Sequence, residues 1–345
     1  MRIAIVNDMK MAVEALRRAL ASSPEFELAW VAENGVEAVK RCAEDIPDLI
    51  LMDIIMPEMN GVEATRQIMA NSPCAILIVT ASVTQNVSLV FQAMGAGAID
   101  AVSTPISGGS QGTNGNDELL QKMRTIGRLL NANQRSTHSK QPETAKVGIP
   151  DSWLLAIGSS TGGPAALAKI ISKLPANFQA SVIIIQHVDE NFAPGLAEWL
   201  SQQSAMPVRL AMEGDRIESG RILIAGTNNH LYIKGDQSLG YKVEPAANPY
   251  RPSVDVFFES MLANWPGRSI ATLLTGMGKD GAAGLLKLKN NGVFTIAQNA
   301  ETCAVYGMPK AAVELNAAVK VLPIDSIAET ILGHLKERKW GGKSL

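Results

Sequence analysis

Cysteine is scarce in this chain: Cys42, Cys74 and Cys303 are the only three among 345 residues. An odd number at wide spacing indicates neither a disulfide framework nor a zinc cluster, and predicts reduced core thiols. Long apolar runs are missing too. No stretch approaches the roughly 18 consecutive apolar residues of a membrane span, and Met1 leads directly into a charged strand start with no signal-peptide pattern. The expectation is a cytoplasmic protein with no membrane insertion. Excess charge is also absent, since 31 Lys and Arg against 33 Asp and Glu leave a net −2, with a pI near 6.1. Nucleic-acid surfaces rest on clustered basic residues that neutralise phosphates, so this balance argues against one. Histidine is limited to four residues, so chemistry that needs an imidazole has few places to reside.

What is present suits sizeable globular cores. The composition is 46% hydrophobic and 19% charged, and the length exceeds one average domain. In the N-terminal third, Arg2 to Val6, Leu49 to Met52 and Ala75 to Val79 read as buried strands. They alternate with helical spacing over Met11 to Leu20, Val36 to Ala43, Gly61 to Met69 and Asn86 to Ala96, which predicts βα units on a parallel sheet. Asp8 and Asp53 each follow a strand. Two carboxylates at one sheet edge suit a Mg²⁺ ion that assists an incoming phosphoryl group, and Thr80 could hydrogen-bond that phosphate. Ser107 to Asn116 reads as a loop insertion before a last helix at about Asp117 to Leu130. The polar, aperiodic stretch 133–150 reads as a linker between a domain at 1–132 and another at 151–345. The tail Lys339 to Leu345 reads as frayed.

In the second domain, the apolar run Leu154 to Ile157 enters the turn Gly158-Ser159-Ser160-Thr161-Gly162-Gly163 and then a helix opened by Pro164. Such a turn can present a serine nucleophile, cradle a phosphate or simply reverse the chain. Among the histidines, His138 lies in a polar stretch and His334 on what reads as a solvated helix face. His230 is read in a loop as a possible substrate contact. His187 ends the run Val182 to Gln186, at the edge where strand C-termini line a functional crevice. A third run, Ala271 to Leu274, leads into Thr275-Gly276-Met277-Gly278-Lys279-Asp280-Gly281. There Asp280 could complete a Ser-His-Asp set or only cap its helix. Asp189, Asp215 and Asp255 are rival carboxylates.

These strings, with Gln186-His187, Arg251-Pro252-Ser253-Val254-Asp255 and Ala297-Gln298-Asn299, resemble the chemotaxis protein-glutamate methylesterase family across nearly the whole chain. The resemblance implies Ser160 as nucleophile, His187 as base and Asp280 as orienting acid. It also implies Met277 as an oxyanion N–H donor and Thr161 as a support for the histidine. The fold it implies is a flavodoxin-like receiver with a parallel five-stranded sheet, followed by a doubly wound α/β esterase domain. The implied substrate is a methyl-accepting chemoreceptor, and the implied reactions are demethylation and glutamine deamidation, by a carboxylic ester hydrolase with no cofactor of its own.

The N-terminal segment is similar to response-regulator receivers, which implies Asp53 as phospho-acceptor, Mg²⁺ at Asp8 and Asp53, and a chemotaxis-type histidine kinase as phosphodonor. It departs from their pattern at three points. Asn7 stands where a first acid is usual, Thr104 stands where a lysine is usual, and the last strand lacks its aromatic. A missing lysine removes a charge-assisted bond to the phosphate, while Asp8, Asp53 and Thr80 remain. The departures at Asn7 and Thr104 suggest the surface-sensing, Wsp-type branch. Two other output classes are a non-catalytic partner-binding domain, disfavoured by the intact triad positions, and a DNA-binding domain, disfavoured by the acidic pI.

Overall fold

A computed structural model describes residues 1–80, 86–105, 112–130, 152–246, 248 and 250–340. The chain divides into two compact units, Met1–Asn133 and Gln134–Leu345. The expected linker, with His138, lies outside the described residues.

In the first unit, β1 (Arg2–Val6), α1 (Lys10–Ala21), β2 (Glu27–Ala32), α2 (Gly35–Glu44), β3 (Leu49–Met52), α3 (Gly61–Asn71), β4 (Ala75–Thr80), α4 (Val87–Ala96), β5 (Asp100–Ser103) and α5 (Gly112–Leu130) alternate. The five strands are parallel in the order β2-β1-β3-β4-β5. Every residue of β3 is fully buried, as a central parallel strand covered on both faces requires. Helix starts are set by local chemistry. The Asn34 side chain accepts the Glu37 N–H at 2.8 Å, and Asn60 accepts that of Glu63 at 2.9 Å, each satisfying a donor that the helix itself cannot. Two points differ from the sequence reading. Strand β2 is not among the runs singled out from the sequence, although Leu28 to Ala32 is continuously apolar, and α5 begins at Gly112, so residues 112–116 are helix and not loop.

The second unit contains β6 (Trp153–Ser159), α6 (Gly163–Ile171), β7 (Ala180–Gln186), α7 (Ala193–Gln203), β8 (Val208–Leu210), β9 (Ile222–Ile224), β10 (His230–Ile233), β11 (Leu239–Lys242), α8 (Val254–Asn264), β12 (Arg268–Leu273), α9 (Ala282–Asn290), β13 (Phe294–Gln298), α10 (Met308–Glu314), β14 (Lys320–Leu322) and α11 (Ile324–Trp340). Seven strands form a parallel sheet, β14-β13-β12-β6-β7-β9-β8, and β10 pairs with β11 in a separate antiparallel hairpin. From β6 the chain builds outward through β7 and then returns to the other side of β6 at β12. The order therefore reverses between β6 and β12, and ligands of open α/β sheets bind beyond the strand ends at such a reversal. Phe257 and Phe258 of α8 are fully buried in the core with Leu273 and Leu285. Burying each phenyl contributes about 1.5–3 kcal/mol, which anchors the helix start that will matter for the site.

Candidate active site

Three strand ends converge at the reversal. The register pairs Ser159 at the end of β6 with Gln186 at the end of β7, and the His187 N–H donates to the Ser159 carbonyl at 3.0 Å. Ser160 and His187 therefore leave adjacent strands side by side. On the other flank, the Ser160 N–H donates to the Thr275 carbonyl at 3.0 Å. Two buried glutamines brace these ends. Gln186 donates from Nε2 to the Ser160 carbonyl at 2.8 Å and accepts the Ser159 hydroxyl at 2.7 Å, while Gln298 accepts the Thr275 N–H at 2.9 Å. Both glutamines stand within sequence motifs, but nothing local to them signals this bracing role. A side chain at Gly276 is impossible here, because its Cβ would lie 2.7 Å from that of Ser160. Glycine at 276 is what allows the two turns to touch.

His187 and Asp280 meet, with the imidazole Nε2 at 2.8 Å from the carboxylate Oδ2. Asp280 is 3% exposed and has further donors: the Ser253 hydroxyl at 2.8 Å and the backbone N–H groups of Val254 at 2.6 Å and Asp255 at 3.2 Å. Burial raises its carboxyl, but the bonds from His187, Val254 and Ser253 outweigh that and hold it below the usual carboxylate range. An ionised carboxylate only accepts, so Nε2 carries the proton and Nδ1 is the basic nitrogen. Among the described residues no hydrogen bond joins the Ser160 hydroxyl to His187. Such bonds are often long until substrate binds.

The alternative reading of Asp280, as a cap for its own helix, is corrected. Helix α9 starts after Gly281 with no side-chain cap, and Asp280 instead receives the N-terminus of α8. Asp255 makes the opposite exchange, accepting the Gly284 N–H of α9 at 2.6 Å. The other rivals are committed elsewhere, Asp189 to Asn191 and Asn228, and Asp215 to Arg209. His230 is also corrected. It opens β10, is fully buried, and accepts the Ser253 N–H on Nδ1 at 3.2 Å. Burial lowers its pKa, so a neutral imidazole holds Ser253 from within the core. His334 is not a solvated side chain either, for its ring stacks on Phe294 with centroids 4.0 Å apart.

The N–H of Met277 has no acceptor among the described residues, and its neighbour Gly276 packs against Ser160. Thr161 is buried, and its carbonyl accepts the Thr275 hydroxyl at 2.9 Å. Tyr250, which the sequence reading passed over, stacks on His187 with ring centroids 4.9 Å apart and planes at 13°.

In the first unit, Asp53 follows β3 and is 9% exposed. Its Oδ2 accepts the Asn7 amide at 3.0 Å and its Oδ1 the Ile54 N–H at 2.7 Å. Burial, with the Asp8 charge adding to it, pushes its pKa up to about 6 despite backbone hydrogen bonds. Among the described residues no three His, Cys, Asp or Glu side chains converge as metal ligands. Two carboxylate-bearing positions in a site that disfavours negative charge still fit Mg²⁺, which takes oxygen ligands and keeps several waters. Thr80, 2% exposed, ends β4, and its carbonyl accepts the Thr104 N–H at 3.0 Å.

Comparison with known proteins agrees with this layout. A family model described as CheB methylesterase matches residues 155–331, and one described as response regulator receiver domain matches residues 3–110. A protein-glutamate methylesterase/protein-glutamine glutaminase 3 of Pseudomonas aeruginosa is 54% identical over 329 residues, covering 95% of this chain and 98% of its own. A protein-glutamate methylesterase/protein-glutamine glutaminase 1 of Bordetella avium is 52% identical over 95% of both chains. Among solved structures, the CheB methylesterase catalytic domain of Thermotoga maritima aligns with a TM-score of 0.50 at 37% identity, over 52% of this chain and 97% of that one. The chain belongs to the CheB methylesterase family and carries a response-regulator receiver domain. Among the described residues no helix is long and apolar enough to cross a membrane.

Proposed function

We propose that this chain is a cytoplasmic protein-glutamate methylesterase that hydrolyses glutamyl methyl esters on methyl-accepting chemoreceptors and deamidates receptor glutamines by the same acyl chemistry. The observation that carries the reading is the 2.8 Å His187–Asp280 bond at the strand end beside Ser160. Ser160 Oγ attacks the side-chain carbonyl carbon of the modified glutamate as His187 Nδ1 takes its proton. The oxyanion that forms is met by the Met277 N–H, while Asp280 stabilises the imidazolium and Thr161 steadies the ring. His187 then protonates the departing methoxide, releasing methanol, or the departing amide nitrogen, releasing ammonia. Water gives its proton to His187 and attacks the acyl-enzyme, which frees glutamate and restores the Ser160 hydroxyl.

The receiver supplies control. Asp53 is the phosphoryl acceptor and a chemotaxis-type histidine kinase the donor. Asp8 and Asp53 would hold Mg²⁺, which when bound offsets charge on the transferred group, and Thr80 would bond the resulting phosphate. Asn7 and Thr104 together favour a surface-sensing pathway. The test is methanol release from a methylated chemoreceptor by the purified full chain. Ser160→Ala, correctly folded, is expected to release none. Full activity in that variant removes the reading.

A further inference from the structure

We propose that Tyr250 is a positioning residue for the His187 imidazole, acting through its ring face and not through its hydroxyl. The inference rests on His187 being the base, and it extends that reading to the residue that decides how the base is aimed. Asp280 fixes one nitrogen of the ring at 2.8 Å, but a single hydrogen bond leaves an imidazole free to swing about that contact. A flat partner removes this freedom. Tyr250 lies nearly parallel to the imidazole, 13° between planes and 4.9 Å between centroids, an offset stack of the kind aromatic rings favour.

Tyr250 is itself held at both ends. Its N–H donates to the Asn248 side chain at 3.0 Å, and its far edge reaches the turn that carries Met277. A Cβ placed on Gly278 would lie 2.0 Å from the Tyr250 hydroxyl oxygen. Only glycine fits there, and Gly278 has a positive φ of 77° besides. The tyrosine thus spans from the base to the oxyanion turn and sets their spacing. During reaction His187 becomes an imidazolium, and the negative face of the phenol ring then meets a cation. The ring face is therefore worth more in the transition state than in the resting enzyme, so its loss should appear in kcat. The hydroxyl makes no hydrogen bond among the described residues, which leaves the ring as the working part.

The experiment compares Tyr250→Phe, Tyr250→Leu and Tyr250→Trp in the full chain, using methylated chemoreceptor, with melting temperatures measured alongside. Phe and Trp are expected to stay within about threefold of the parent kcat. Leu is expected to lose about tenfold or more in kcat with KM nearly unchanged, the change that about 1.4 kcal/mol of transition-state stabilisation produces. In a His187→Gln background, Tyr250→Leu should have no further effect on residual turnover. The inference is overturned if Leu keeps the parent kcat, if Phe is as impaired as Leu, or if the loss falls in KM alone. Ser160→Ala is run in parallel. Activity surviving there overturns the nucleophile, whereas an inactive Ser160→Ala with an unimpaired Tyr250→Leu overturns only the positioning role.

Discussion

Asp280 accepts the backbone N–H of Val254 at 2.6 Å, so the carboxylate that holds the His187 imidazole is also seated at the positive end of helix α8. Oriented peptide dipoles favour negative charge there, and the Ser253 hydroxyl adds a further donor at 2.8 Å. The histidine's partner is thereby ionised and immobile before substrate arrives.

Replacing this group should separate orientation from reaction. Asp280→Asn keeps the shape and loses the charge, so His187 no longer has a strong acceptor to select its tautomer. Methanol release is expected to fall by orders of magnitude, yet by about 10- to 100-fold less than in Ser160→Ala or His187→Ala. Matched kcat measurements on the three variants check the ranking.

Ser253 serves two masters, as cap of α8, accepting the Val256 N–H at 3.3 Å, and as donor to Asp280. Ser253→Ala is expected to cost about 1–2 kcal/mol of stability through the lost cap and the lost hydroxyl donor to Asp280, whose Oδ1 keeps only the Asp255 N–H. Denaturant unfolding of the full chain reads the first effect. A kcat loss smaller than that of Asp280→Asn reads the second.

The strand-end placement of the three candidate residues was legible in the primary structure, their roles were implied by the family resemblance alone, and the limits have physical causes. Ser160, His187 and Asp280 each follow an apolar run that ends at a turn, and local periodicity announces such places. The partners of Asp280 at the start of α8 lie 25 to 27 residues earlier in the chain, and no local pattern encodes a helix start that borrows a carboxylate from another turn. His230 read as a loop residue because the strand it opens spans four residues, His230–Ile233, and its burial depends on α8 packing over the hairpin. Tyr250 carries no motif of its own. Strand β2 was not singled out although Leu28 to Ala32 is continuously apolar; at the edge of the sheet it is only partly buried.

Asp255 gives a pH signature. Burial and the charge of Asp280 push its carboxyl up to about 6, above the unfolded value of about 3.9. The folded state therefore binds the proton more tightly, and stability falls as pH rises from about 4 through about 6. Asp255→Asn can still accept the Gly284 N–H without the buried charge. Above pH 7 it is expected to raise the melting temperature of the catalytic unit by about 2–4 °C, the shift that roughly 1 kcal/mol produces at this size. The gain should vanish near pH 4. Calorimetry at pH 4, 6 and 8 tests both parts.

Thr104 leaves the receiver without the usual cation. A small-molecule phosphodonor with Mg²⁺ is expected to raise esterase activity only modestly, Asp53→Ala to abolish the response, and Thr104→Lys to enlarge it. A hydrogen bond to a charged group contributes roughly 1.5–3 kcal/mol, enough for about a tenfold shift if it forms only in the phosphorylated state. Initial rates with and without phosphodonor check all three. A large parental response that Thr104→Lys leaves unchanged would mean that another residue supplies the charge.

The central claim is that Ser160 is the nucleophile served by the His187–Asp280 pair. Its most direct measurement is peptide mass spectrometry after treatment of the full chain with a fluorophosphonate, which bonds to an activated serine and expels fluoride. The account predicts a single adduct on Ser160, absent in His187→Ala and strongly slowed in Asp280→Asn. An adduct on another serine, or equal labelling of Ser160 without His187, would contradict it.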